Sequence, residues 1–209
     1  MARRLGRGER QVGMKMGFTS RAKMLQMGID DLIWGRLTSG MRVEEGSTIK
    51  LSSYVHPRVE PEIAFLLKRP LAGDVTASEA LAAVEAIAPA LEIIDSRYQN
   101  FKFSLPDVIA DNASSSGFVI GAWNAPNSDI GNLGMVMSFD GKAQHMGSSA
   151  AILGNPLRAL PGRVAGTRYL CAPRRAAPWQ HRLSRSGLNP CLSQSSTSSK
   201  AVVTRRSRR

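Results

Sequence analysis

The chain has 209 residues, 43% of them hydrophobic, two cysteines and a formal net charge of plus twelve. That length supports one domain with a substantial core and hardly two. Cys171 and Cys191, outside any CxxC spacing, argue against a disulfide framework or a structural zinc site, and no apolar run is long enough to cross a bilayer or to form a secretory signal behind the Arg-rich start. The charge first suggests a nucleic-acid binder, but residues 161–209 hold eleven Lys and Arg without an acid and the first ten hold four Arg and one Glu, which leaves residues 11–160 at minus two. A mildly acidic body with basic ends disfavours nucleic acid as a partner and fits a soluble protein of a reducing cytoplasm.

Behind a short basic segment, 1–11, residues 11–19 alternate as a strand in which Gly13 and Gly17 flank Lys15. Glycines let a backbone approach a ligand closely, although on these residues alone an ordinary surface lysine is the simpler reading. Ser20 can cap a helix through Met27 that Gly28 ends, and residues 30–50 read as short strands and a loop with turns at Gly35, Gly40 and Gly46. The stretch HPRVEPEIAF, 56–65, is the centre of the chain: as a strand it puts Val59, Pro61, Ile63 and Phe65 on one face and Glu60 and Glu62 on the other. Two carboxylates about 6 to 7 Å apart at their Cα atoms can close on one cation. A solvated edge is the alternative, and the apolar run after Glu62 favours the site.

Thr76 and Glu79 have capping-box spacing, and Leu81, Val84, Ile87 and Ala88 predict a helix that Pro89 stops. The strand predicted at 90–95 turns Glu92 and Ile94 one way; Asp95 has the opposite parity and reaches the same site only where the strand ends. Aromatics at 98, 101 and 103 lead to a polar loop at 112–116, whose serines lack a G-x-S-x-G elbow and suit bonds to backbone or to a ligand oxygen. Strands follow at 118–120 and 133–139, with an Asp140-Gly141 hairpin turn into 142–145, and Gly154-Asn155-Pro156 closes the body. After Leu160 neither structural period persists, so 161–209 is expected to be disordered, a nucleic-acid tail, or a foreign segment from a shifted frame, the last being preferred.

Glu60-x-Glu62, then Glu92-Ile93-Ile94-Asp95-Ser96-Arg97, then Ala110-Asp111-Asn112-Ala113-Ser114 resemble the hydratase/decarboxylase family of the fumarylacetoacetate hydrolase superfamily. The resemblance runs from Val12 to Leu160 and includes Gly13 to Ser20 and the LGNP turn at 153–156. It implies an α+β fold, a mixed and mainly-β roll or distorted barrel with a few helices, here expected to be incomplete at both ends. It implies that Glu60, Glu62 and Glu92 bind Mg²⁺ or Mn²⁺, that Lys15 and Asp95 are catalytic, and that Lys15 and Ser114 bind substrate, which reverses the simpler reading of Lys15. Three carboxylates suit a hard cation. The implied activity is decarboxylation of 2-oxohex-3-enedioate to 2-hydroxypenta-2,4-dienoate in meta-cleavage catabolism of aromatic compounds; KMGFTSRAKMLQMGI and IDSRYQNFKF lean that way. Hydration of 2-oxopent-4-enoate is one alternative, and an inactive chain acting only by association is another. Expected partners are a 2-oxo acid substrate and further copies of the chain or a companion hydratase. Ser39 stands where relatives often carry an aspartate, which puts an acid/base there in question.

Overall fold

The computed structural model of the chain describes residues 1–20, 24–25, 32–71, 73–160 and, as backbone, 200–205. β1 (Gln11–Gly17) and β2 (Ile33–Thr38) run antiparallel, as do β3 (Arg58–Leu67) and β4 (Val84–Ile94), and β5 (Ser115–Ile120) adds to β4. β6 (Gly134–Phe139) and β7 (Lys142–Ser148) form a separate hairpin around Asp140-Gly141. β8 (Lys200–Arg205) lies between β1 and β3, antiparallel to the first and parallel to the second, so the large sheet has the order β2-β1-β8-β3-β4-β5. Its far edges approach each other: Arg42, just beyond β2, bridges Phe118 of β5, and the Val43 amide donates to the Phe118 carbonyl at 2.9 Å. The sheet thereby curls into the expected mainly-β roll, with short helices α1 (Ala2–Gly6), α2 (Ala77–Ala83) and α3 (Leu105–Ala110) outside it.

Alternation along β3 and β4 builds two different layers. On the outer side Ile63, Phe65 and Leu67 pack with Val84 and Ile87, beneath Ala80 and Ala83 of α2 and against Ile130, Ile152, Ala159 and Leu160. Burying each large side chain there stabilises the fold by roughly 1.5 to 3 kcal/mol. On the inner side Ala64, Ala88 and Ala90 face Leu37, Met41 and Phe118. Small residues on the strands and large ones at the closing edges leave the inner side space for other groups.

The helix expected up to Pro89 is shorter than the spacing predicts. α2 has the capping box at Thr76 and Glu79 but stops at Ala83, and Val84 is already extended (φ −72°, ψ 131°). Both Ile87 and Ala88 are buried because β4 is covered on both faces, and that adjacency imitates helical spacing. Pro89 sits inside β4 opposite Ile63, where its carbonyl accepts from the Gly121 amide at 2.9 Å and its ring is exposed. α3 was not expected from the sequence; Ser104 caps it, with Asp107 closing the capping box. Of the helix expected at 20–27, only Ser20, Met24 and Leu25 are among the described residues, with the Met24 amide on the Ser20 carbonyl at 2.9 Å. The segment 161–209 falls outside the described residues except at 200–205.

Candidate metal centre

Period-two alternation sends Glu60 and Glu62 to the inner face of β3. The antiparallel register places Glu92 directly opposite Glu60, with Ala90 opposite Glu62. All three glutamates are buried, and each offers a carboxylate oxygen within 4.8 Å of the others. Like charges facing each other across a ladder repel, and each buried ion costs several kcal/mol of lost hydration, so this arrangement needs positive charge. Lys15 supplies one part of it. Its side chain is fully buried, and Nζ donates to Glu92 Oε2 at 3.0 Å. One oxygen of Glu92 accepts from Lys15, while the other, Oε1, is buried without a hydrogen-bond partner. A hard divalent cation suits three converging carboxylates and an all-oxygen donor set, so Glu60, Glu62 and Glu92 are the residues that could hold one.

Lys15 reaches this position because its partner across the β1–β2 ladder is Gly35. A Cβ on Gly35 would lie 3.3 Å from Lys15 Cε and 2.5 Å from the Asn112 carbonyl oxygen, so only glycine allows the 112–114 turn to close over the lysine. Asn112 fastens that turn to β2, accepting from the Arg36 amide at 2.8 Å and donating to the Arg36 carbonyl at 3.0 Å. Asn112, Ala113 and Ser114 all have positive φ, 54°, 54° and 57°. Left-handed backbone at non-glycine residues costs roughly 1 to 2 kcal/mol each, so the turn has to be held. Buried Asp111 holds it: its Oδ2 accepts from the Arg97 amide and the Ser114 hydroxyl, each at 3.2 Å, and its Oδ1 pairs with the Arg97 guanidinium.

Three of the sequence-derived ligands, Glu60, Glu62 and Glu92, meet with Lys15. Ser114 is buried in the 112–114 turn and its hydroxyl donates to Asp111, while the neighbouring Ser115 hydroxyl is buried without a partner. Asp95 does not join the carboxylate group. Its two oxygens accept from the backbone amides of Val55, at 3.0 Å, and His56, at 2.8 Å, and its own amide donates to the Ser114 carbonyl at 2.8 Å. It thus ties the turn before β3 to the turn before β5. Burial pushes the adjacent Tyr54 phenol up, with the Asp95 carboxylate adding to the effect. Asp111, Arg97 and Asn112 carry supporting roles that periodicity does not mark, because they act from turns.

The profile of the fumarylacetoacetate (FAA) hydrolase C-terminal family matches residues 19–172, and the chain belongs to that family. It is 73% identical over 160 residues to a 4-oxalocrotonate decarboxylase of Pseudomonas sp, a match covering 77% of this chain and 62% of that one. It is 39% identical over 161 residues to a 2-hydroxypent-2,4-dienoate hydratase of Pseudomonas putida, covering 75% and 72% respectively. Among solved structures, 4-oxalocrotonate decarboxylase from Pseudomonas putida G7, complexed with magnesium and adipate, superposes with a TM-score of 0.71 at 42% identity, covering 75% of this chain and 60% of that one. The chain thus spans about three fifths of the length of the decarboxylases it matches.

Proposed function

We propose that this chain is a metal-dependent decarboxylase of 2-oxohex-3-enedioate, and that Glu60, Glu62 and Glu92 hold its Mg²⁺ or Mn²⁺. The observation that carries the reading is the buried glutamate trio with one lysine and an unpartnered oxygen, in a chain 73% identical to a 4-oxalocrotonate decarboxylase. The solved relative's magnesium and adipate, a six-carbon dicarboxylate, are the kind of ligands this reading calls for.

Breaking the C5–C6 bond of the substrate releases C6 as CO₂, and the electron pair left on C5 moves through the C3–C4 double bond to the 2-oxo oxygen. One proton taken up there gives 2-hydroxypenta-2,4-dienoate. A divalent cation in the glutamate trio would supply Lewis-acid stabilisation of that oxygen's growing charge. Lys15 fixes the Glu92 carboxylate through the 3.0 Å ion pair and adds a buried positive charge, which counts for more away from water. Asp95 orients the 54–56 turn, and the proton-transfer role expected of it requires release from those amides. Ser114 and Ser115 lie where the 112–114 turn meets β5, and we assign the unpartnered Ser115 hydroxyl, together with Ser114, to ligand oxygens.

Hydration of 2-oxopent-4-enoate is the second reading, favoured by the 39% identity to a hydratase over most of that protein's length. Self-association, or association with a companion hydratase, belongs to the same proposal. The test is turnover of 2-oxohex-3-enedioate by the purified chain, followed by absorbance and CO₂ release with and without Mg²⁺. Metal-dependent CO₂ release that disappears in Glu60→Ala supports the decarboxylase; Mg²⁺-dependent consumption of 2-oxopent-4-enoate alone selects the hydratase; neither activity, with no metal binding, rejects both.

A further inference from the structure

Strand parity places a further charged residue on the glutamate face. Positions 58, 60 and 62 of β3 share one side, and the β3–β4 register is unbroken from Arg58 to Leu66, so the Arg58 side chain leaves the sheet on the same face as Glu60 and Glu62. Arg58 is half-buried and makes no ion pair among the described residues: the nearby acids are committed elsewhere, Asp95 to the amides of Val55 and His56, Asp111 to Arg97. Its guanidinium instead lies over the Phe101 ring, 4.0 Å from the centroid, and Phe101 stacks on His56 at 4.8 Å with 27° between the planes. The Asp95 bond to the His56 amide anchors the base of this stack. A guanidinium that lies over an aromatic ring still has N–H donors to offer a planar acceptor, and a half-buried cation that makes no ion pair favours an anion.

We propose that Arg58 recognises the distal carboxylate of a 2-oxo dicarboxylate and so selects such ligands over 2-oxo monocarboxylates; this rests on the metal-centre reading given above. The spacing is suitable. Two residues of strand span about 6.6 Å, and the terminal carboxyl carbons of an extended six-carbon diacid are roughly 6 Å apart. A ligand whose 1-carboxylate and 2-oxo group face the glutamate trio is long enough to carry its far carboxylate toward position 58. Arg58 acts on binding rather than on bond breaking. The carboxylate it holds leaves as neutral CO₂, so the contact fades in the transition state, and its loss raises KM without lowering kcat.

The test is calorimetric titration of the full chain in Mg²⁺ with 2-oxoadipate and with 2-oxohexanoate, which differ in the far carboxylate and do not carry the double bond that decarboxylation needs. The unmodified chain is expected to prefer the dicarboxylate by about 10- to 100-fold, the worth of a charge-assisted hydrogen-bonded pair. Arg58→Met keeps an unbranched chain over Phe101 and removes the charge; it is expected to cut the preference to about threefold or less by weakening 2-oxoadipate alone. Unchanged 2-oxohexanoate affinity reports an intact site, and Arg58→Gln carries the same expectation should the Met variant fail to fold. A preference that survives both substitutions overturns the assignment of Arg58 and leaves the metal-centre reading standing. An unmodified chain that binds neither keto acid in Mg²⁺ overturns both.

Discussion

On the outer side of β3 and β4, Ile63, Phe65, Leu67, Val84 and Ile87 meet α2 and the turns at 149–160; one residue along, on the inner side, Glu60, Glu62 and Glu92 meet Lys15. The same hydrogen-bonded ladder carries both sets. The outer set gains free energy by leaving water, and its contribution depends on volume and fit. The inner set loses hydration on burial and is stable only through charge compensation, which makes it weak alone and selective for a cation. A strand pair covered on both faces can therefore separate the residues that hold the fold from those that use it.

Outer-face volume should dominate stability, so the largest effect is expected there. Phe65→Ala, at a fully buried position, should lower unfolding free energy by about 3 to 5 kcal/mol in denaturant melts. It should leave Mg²⁺ affinity within about twofold, because Phe65 packs in the outer cluster, at the opposite strand parity to Glu60 and Glu62. A large loss of metal affinity in that variant would break the separation of the faces.

The next effect comes from the inner side. Lys15→Met removes the partner of buried Glu92 and should destabilise the chain by about 3 kcal/mol in the absence of divalent cation. Adding Mg²⁺ should recover part of that deficit, since the cation replaces the missing positive charge; a deficit insensitive to Mg²⁺ would mean that Lys15 acts by packing. Glu92→Gln should instead weaken Mg²⁺ binding on the order of 100-fold in titration calorimetry, with a smaller change in the melting temperature of the metal-free chain. Equal Mg²⁺ affinity would remove Glu92 from the ligand set.

The two sides also differed in how legible they were. Glu60 and Glu62 could be assigned to one face from parity alone, because β3 keeps its alternation, and the strands at 11–17, 58–67, 115–120 and 134–139 are close to those expected. β4 was half hidden. With Ile87 and Ala88 both buried and Pro89 inside the strand, its first half imitates a helix, and only pairing with β3 distinguishes the two. Asp111, Arg97 and Asn112 form a network whose partners lie 14 and 76 residues apart, built on positive-φ turns that no local pattern announces. Gly35 was read as a turn residue, whereas its use is to admit Lys15 and the Asn112 carbonyl, a long-range requirement.

The smallest expected effect lies away from both faces, in carboxylates that fasten short elements to the roll. The Thr38 hydroxyl, then Arg4, holds Glu9 below the usual carboxylate range; the Thr76 amide and hydroxyl do the same for Glu79, and the Ser104 hydroxyl and amide for Asp107. A carboxylate whose pKa is depressed by folding contributes stability that is complete above its unfolded value, near pH 4, and that is lost as pH falls through the folded value. Thermal melts of the metal-free chain should therefore show a declining melting temperature below about pH 4.5, and the double substitution Glu79→Gln and Asp107→Asn should make that decline shallower. The same substitutions should leave Mg²⁺ affinity at neutral pH unaltered, because the capping carboxylates act through backbone amides at helix starts and not through the inner face. If the decline keeps its full slope in the double variant, the acid sensitivity belongs to other carboxylates, and the buried glutamates of the inner face become the first to test, by repeating the melts with Mg²⁺ present.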